Sequence, residues 1–472
     1  MPREPESAAP AAPLSHRLAA FAAGVRLEDI PPGVLERARL HLLDALGIAL
    51  ASGTEDFAQR IVSGIAALAG RGGYPVIGFA TRLPLRDAVL ANGALVHGLD
   101  FDDTHPAGVI HVSASALPAA LAAAQSVGGG GREVLLAYLV CVETASRIAA
   151  AAEGGFHVNG FHPTGMVAAF GAVLGVGRLW GLTERQLADA QGLVLSMASG
   201  SFEFIEDGAW NKRLHAGWAV AAAMTACSLA RSGVVGARKA YEGRYGLYRS
   251  YLAPGREPAL ATVTAGLGET WEMLQVALKP YPVCHFNHAF IDAALALRRA
   301  HAFAPEDVVS IRTLIAQDQT GIVCEPEANK RRPANDYDAR FSLPFAVATA
   351  LVRGRLTMDE ISPEAIRDPA VLALCDRTHY ATDPDSGYPR HYSGALELQL
   401  RDGRVLRHRE SINRGSSARP LSRDEVLAKF RQTASRALAP ERVEAVAAAL
   451  LDLERLPRIE ALTALVCPPA LA

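Results

Sequence analysis

The chain has 472 residues, half of them hydrophobic and a fifth charged, with a formal net charge of −2. That length exceeds what one core usually organises, which points to two domains, and the near-zero charge offers no basic field to recruit nucleic acid or an anionic membrane. Six cysteines (141, 227, 284, 324, 375 and 467) are scattered without CxxC pairs, which suits a reducing compartment and makes the cytoplasm the expected location.

Residues 1–13 are rich in Ala and Pro, carry acids and lack an apolar segment, so they read as a disordered leader. From Leu14 to about Tyr251 helical spacing dominates. Leu35, Ala38, Leu42, Leu46 and Ala49 share a face behind Pro31 and Pro32. Gly131 opens a helix through Val134, Leu135, Tyr138, Leu139 and Val142, and Thr183 with Gln186 forms a capping box for another. The Ala/Gly-rich stretches at 165–177 and 216–230 are too short or interrupted to span a membrane and fit closely packed helices. The glycine run 128–131 lacks a following Lys-Ser/Thr, so a flexible inter-helix loop is expected there, not a phosphate loop.

The character changes near Pro254. Residues 308–316 alternate as a strand does, and 396–400 with 405–412 flank Asp402-Gly403, a hairpin signal. Helical pattern at 341–353 and a capping box at Thr357 with Glu360 lie between them, and after Ser422 and Glu425, a third capping box, the chain is helical to about Leu465. The expected fold is mainly α. A large all-helical domain is formed from both ends of the chain (14–265 and 406–472), with an α+β lid domain inserted at 266–405.

Three clusters carry the chemistry. Asp100, Asp102 and Asp103 crowd three carboxylates beside Thr104, His105 and His111; such acids are either a solvated turn or a buried group that needs cations, hydrogen bonds or a metal. His157 and His162 sit in a Gly-rich loop before an apolar helix, where Thr164 or the helix N-terminus is placed to meet an anion. The third cluster is basic: Lys212, Arg213 and His215, then Lys279, Cys284, His285 and His288. Only five of the 47 basic residues are lysine, so two in such motifs stand out; lysine is a compact point charge whose pKa responds to burial. No HExxH, CxxC or EF-hand spacing is present, so no metal is expected. The DxDD pattern at Asp100–Asp103 also occurs in helical terpene cyclases, but aromatics at 6% are too few for carbocation walls and the basic motifs suit anions.

In order along the chain, the segments from Asn92-Gly93 through His97-Gly-Leu-Asp-Phe-Asp-Asp-Thr104, then His111, Gly160-Phe-His162-Pro-Thr164, Lys212-Arg-Leu-His-Ala-Gly217, Glu242-Gly-Arg-Tyr-Gly246, Lys279-Pro-Tyr-Pro282 and Phe341-Ser-Leu-Pro344 together resemble the MmgE/PrpD family. That family includes 2-methylcitrate dehydratase and cis-aconitate decarboxylase. The resemblance implies a helical domain with an α+β lid, a homodimer, no organic cofactor and a small polycarboxylate substrate. It implies pocket roles for Asp100, Thr104, His111, His162, Lys212 and Lys279. Two positions depart from the decarboxylase branch: Cys284 stands where that branch has a pocket histidine, and Phe345 where it has a tyrosine. The expected activity is therefore a hydro-lyase dehydrating a 2-methylcitrate-like hydroxy acid, with a cis-aconitate-type decarboxylase and an iminodisuccinate-type epimerase as alternatives. In that expectation His111, His162, Asp100 and Lys212 are catalytic, while Lys279, Thr104, Arg213, Cys284, His285 and His288 bind substrate. A catalytically inactive carboxylate-binding protein is the competing reading from another class.

Overall fold

The computed structural model describes residues 12–206 and 208–468; residues 1–11 of the expected leader lie outside them. Ten helices lead the chain: α1 (Leu14–Gly24), α2 (Pro32–Ser52), α3 (Asp56–Leu68), α4 (Leu85–His97), α5 (Ser113–Ser126), α6 (Gly131–Ala150), α7 (Gly155–Val158), α8 (Pro163–Leu179), α9 (Glu184–Val194) and α10 (Asn211–Arg231). A short ribbon, β1 (Tyr74–Pro75) and β2 (Arg82–Leu83), precedes α4. α11 (Leu247–Tyr251) and α12 (His288–Ala300) lead to β3 (Val308–Ile315). Helices α13 (Gln317–Val323), α14 (Glu327–Arg331), α15 (Asp336–Arg340), α16 (Leu343–Arg353) and α17 (Pro369–Asp376) follow. Strands β4 (Thr378–Thr382), β5 (Gly394–Leu400) and β6 (Val405–Glu410) then complete a sheet, and α18 (Arg423–Ala434), α19 (Pro440–Leu451) and α20 (Glu460–Val466) close the chain.

The capping boxes predicted at Thr183 and Ser422 both form, each side chain accepting the backbone N–H three residues on. At Thr357 the Glu360 carboxylate accepts the Thr357 N–H, but only a 3-10 turn, Asp359–Ile361, follows. The sheet runs β4-β3-β5-β6, with β4 parallel to β3 and the rest antiparallel. β6 pairs along β5, so the sheet runs on to Glu410, past residue 405. The buried apolar side chains form two clusters. One is drawn from 14–278 and 421–467, the other from Phe204 and 281–406. Two apolar cores from one chain of this length follow from the limit on how large a single core grows.

Glycines set two contacts that matter later. A Cβ on Gly93 in α4 would stand 2.4 Å from the Cα of Gly217 in α10, so these helices cross with their backbones touching. That crossing brings the loop after α4 against the first turn of α10. The run 128–131 is not the flexible loop its composition suggested. The Gly131 N–H donates to Leu456 O at 2.9 Å, and a Cβ there would lie 1.7 Å from Leu453 O. Its glycines let the carboxy-terminal segment dock on α6. Among the described residues no helix is long and apolar enough to cross a membrane. All six cysteines are free and buried.

Candidate active site

A cavity of about 1030 Å3 opens between the two apolar clusters. Among the described residues only Asp100, Val109 and Glu153 combine a side chain with positive φ (51°, 46° and 49°), and all three line this cavity. Such backbone costs about 1–3 kcal/mol per residue and persists only where surrounding structure enforces it, commonly at functional sites.

The left-handed turn at Asp100 fans the three acids of the loop in different directions. Asp100 turns to lysine: Oδ1 accepts from Lys212 Nζ in a short ion pair, Oδ2 lies 3.2 Å from Lys279 Nζ, and Lys279 also donates to the Asp100 carbonyl at 2.8 Å. Asp102 turns to histidine, with Oδ2 at 2.8 Å from His97 Nδ1 and 3.4 Å from His111 Nδ1. Asp103 accepts from His41 Nδ1 at 2.6 Å and from the Ser113 N–H at 3.1 Å, which ties the loop to α2 and α5. Lys279 is held in place by a backbone bridge, Thr104 N–H to Ala277 O at 2.9 Å and Ala277 N–H to Thr104 O at 2.8 Å.

Two cations around one carboxylate decide its charge. Burial pushes the Asp100 carboxyl up, but Lys212, Lys279 and His111 outweigh burial and hold it well below the usual carboxylate range. For Lys212 burial works against the charge, yet Asp100 wins and raises its pKa. Two ammonium groups meet at this end of the cavity and can donate to a substrate carboxylate, while Asp100 and the ionised Asp102 behind it balance their charge.

Four of the imidazoles lining the cavity, those of His111, His157, His162 and His285, are neutral at neutral pH. Burial lowers His111 to about 4, with Asp102 opposing and the two lysines adding to the fall. Burial likewise lowers His157 to about 3, and it takes His162 and His285 well below the usual value. His111 directs Nδ1 to Asp102 and receives a further constraint through its backbone N–H, which donates to Thr164 Oγ1 at 3.1 Å. Thr164 therefore positions His111 from a fully buried site and does not itself meet an anion. His162 caps α8; its Nδ1 lies 3.0 Å from His215 Nδ1, and its ring stacks on His97 at 5.6 Å and packs against Phe202 at 5.5 Å. Asn413 donates to His285 Nε2 at 2.9 Å.

Eight of the ten expected site residues meet at this cavity: Asp100, Thr104, His111, His162, Lys212, Lys279, Cys284 and His285. Burial pushes the Cys284 thiol up to about 11, so it stays protonated. Arg213 and His288 are corrections. Arg213 is buried behind the site, its guanidinium 3.9 Å from the Phe57 ring centroid and 4.7 Å from that of Tyr337, donating to Gly98 O and Asp336. His288 begins α12, donates from Nε2 to Val283 O at 3.1 Å and packs against Tyr281. Phe345 is wholly buried in the second apolar cluster and does not line the cavity. Sequence reasoning passed over Asp102, His97 and Asn413, and left His157 unassigned although that ring lines the cavity wall. The first two lay inside the quoted motif; nothing in the sequence marked Asn413.

His97, Asp102 and His111 also bring three ligand-type atoms within 4.8 Å of one another. His97 Nδ1 hydrogen-bonds Asp102 Oδ2 at 2.8 Å and His111 Nδ1 lies 3.4 Å from the same oxygen; two imidazoles and a carboxylate are a donor set that a transition metal accepts.

Residues 16–258 match the MmgE/PrpD N-terminal domain and residues 281–454 the MmgE/PrpD C-terminal domain. The chain belongs to the MmgE/PrpD family. Lys279 stands just ahead of the second matched stretch, joined to the first by the Thr104–Ala277 bridge. MmgE/PrpD relatives of similar sequence include a cis-aconitate decarboxylase-like protein of Aspergillus oryzae, 26% identical with 93% of this chain and 94% of the relative covered. The cis-aconitate decarboxylase of Mus musculus is 26% identical over 95% of this chain and 92% of its own. A 2-methylcitrate dehydratase of Cupriavidus necator is 29% identical over 40% of each.

Proposed function

We propose that this protein is a lyase of small polycarboxylates, with Lys212 and Lys279 binding a substrate carboxylate and neutral histidines moving the proton. The observation that carries this reading is the pair of buried lysines sharing one aspartate beside His111, whose far nitrogen faces Asp102. A carbanion next to a carboxylate accumulates charge, and a fixed ammonium in a water-poor site stabilises it without reorganising. The bound polyanion adds negative charge beside His111 and His162 and raises their pKa values, which makes each a competent acid or base once substrate is present.

The nearly full-length likeness to cis-aconitate decarboxylases favours loss of CO2 from a cis-aconitate-type acid. The C–C bond to the departing carboxylate breaks, its electron pair stays on carbon, and an imidazolium delivers the proton there. The loss of a tyrosine at 345, which had argued against this reaction, weighs less because that side chain is buried in the second apolar cluster. The shared stretch with 2-methylcitrate dehydratase supports the second reading, in which a histidine takes the α proton, the C–O bond breaks and the departing hydroxide is protonated to water. The exposed row Trp210, Leu214 and Trp218, at 37%, 40% and 48% exposure along one side of α10, supports a homodimer.

Proton NMR in deuterated buffer on cis-aconitate, citrate and 2-methylcitrate tests the proposal, with Lys212→Met as control. Loss of CO2 with deuterium incorporated at carbon supports the first reading. A new olefinic signal from a hydroxy acid supports the second. Deuterium entering an α position with mass otherwise conserved replaces both with epimerisation, and no change in any acid rejects these three as substrates.

A further inference from the structure

The cavity is far larger than its charged end requires. At about 1030 Å3 it reaches the upper limit of sites that enclose drug-sized ligands, whereas the lysine pair and histidines occupy one end. The chain is poor in aromatics, yet four of its 15 phenylalanines and two of its 11 tyrosines line this one cavity. Phe202 and Phe204 pack on His162 and belong to the reacting end. The other four form a wall that starts at the charge. Lys212 Nζ lies 4.9 Å from the Phe341 ring centroid. On the Lys279 side, His285 packs on Tyr392 at 5.2 Å, Tyr392 on Phe286 at 5.0 Å, and Phe286 on Tyr388 at 6.0 Å. Burial falls along that row from Tyr392 at the inner end to half-buried Tyr388, and Arg390 beyond it is exposed. A citrate-sized acid anchored at the lysines leaves this wall facing water.

We infer that the substrate is a polycarboxylate bearing an apolar chain, its acid groups at Lys212 and Lys279 and its chain lying along Phe341, Tyr392, Phe286 and Tyr388. The inference rests on the lyase reading for the charged end and adds the substituent that the second apolar cluster recognises. Each methylene buried against such a wall contributes a roughly fourfold gain in apparent affinity. The wall comes from the α+β region and the acid–base groups mainly from the helical one, so chain length and chemistry are read by different parts of the protein.

The test uses the full chain and a series of 2-alkylcitrates and 2-alkyl-cis-aconitates with methyl, butyl and octyl substituents, following turnover by NMR. Matching unreactive 2-alkyltricarballylates are titrated by calorimetry. The expected result is kcat/KM and affinity rising about fourfold per methylene through the first several carbons. Phe286→Ala should lower the octyl-to-methyl ratio of kcat/KM by about tenfold, and Ile322→Gln, a milder change at the same cavity, should lower it less. Turnover of the methyl compound with no gain, or a loss, on lengthening overturns the chain while leaving the lyase standing. Failure of every member to bind or react overturns both.

Discussion

Asp100 and Asp44 are both buried aspartates facing lysine, one at the cavity and one in the helical core behind it. Asp44 meets Lys429 alone, Nζ to Oδ1 at 2.7 Å, and there burial wins: its carboxyl rises to about 6 and the Lys429 pKa falls. Asp100 meets Lys212 and Lys279 together, and there the cations win. The difference is one ammonium group. A single lysine inside a core barely sustains an ion pair, since desolvation of two charges rivals their attraction. A second lysine tips the balance and keeps Asp100 ionised, with two ammonium groups at the cavity for a polycarboxylate to meet. Four of the five lysines in this arginine-rich chain are buried, and three of those four make these two contrasting pairs.

Replacing the shared acid should break the contrast most severely. Asp100→Asn leaves two buried ammonium groups facing each other and should cost ~3–5 kcal/mol, read as a lower urea midpoint at pH 7. Lys212→Met reduces Asp100 to the single-lysine condition of Asp44. It should lower kcat/KM by about 10³-fold, and the circular dichroism spectrum should stay native. Asp102→Asn removes the acceptor that orients His111 and His97. It should lower kcat by about 10²-fold with KM little changed, because Asp102 touches histidine and not substrate. Lys429→Met should cost less than Asp100→Asn, about 1–3 kcal/mol at pH 7, since Asp44 escapes its penalty by taking a proton. That cost should shrink at pH 5, below the raised pKa of Asp44, which a pair of urea titrations reads directly.

The smallest effect is the pH slope itself. His41 and His111 have folded pKa values near 4 against 6.5 for free imidazole, so between these values the unfolded chain binds protons that the folded one refuses. Their stabilisation is complete above pH 6.5 and is lost as pH falls toward 4. Asp44 works in the opposite direction over 3.8 to 6, since its folded form holds the proton more tightly. With His157 and His215 also lowered, to about 3 each, the histidines outnumber it, and stability should fall on acidification from pH 6.5 to 4. His41→Asn should flatten that fall relative to the unmodified protein.

Much of the site was legible because its residues arrive in short, dense motifs. Asp100, Thr104 and His111 span one loop, and Lys212 and Lys279 stood out against an arginine background. Arg213 and His288 were misplaced for a geometric reason. Successive residues on a helix point about 100° apart, so the neighbour of an inward-facing lysine turns elsewhere, and Arg213 turns into the rings of Phe57 and Tyr337. His288 lies one turn from the cavity-lining His285 but starts α12, whose first residues bury against Tyr281. Asn413 orients His285 from 128 residues away, and no local pattern encodes such a contact.

The sequence by itself determined the helical spacing of α2 and α6, the capping boxes of α9 and α18, the β5–β6 hairpin and the family, because these depend on residue order within a few positions. Only the tertiary structure decided which of three adjacent carboxylates met lysine and which met histidine. It also decided whether a buried acid kept its charge. Those outcomes turn on distances of a few ångströms between groups remote in the chain, where burial competes with the cations at hand and one lysine loses where two prevail.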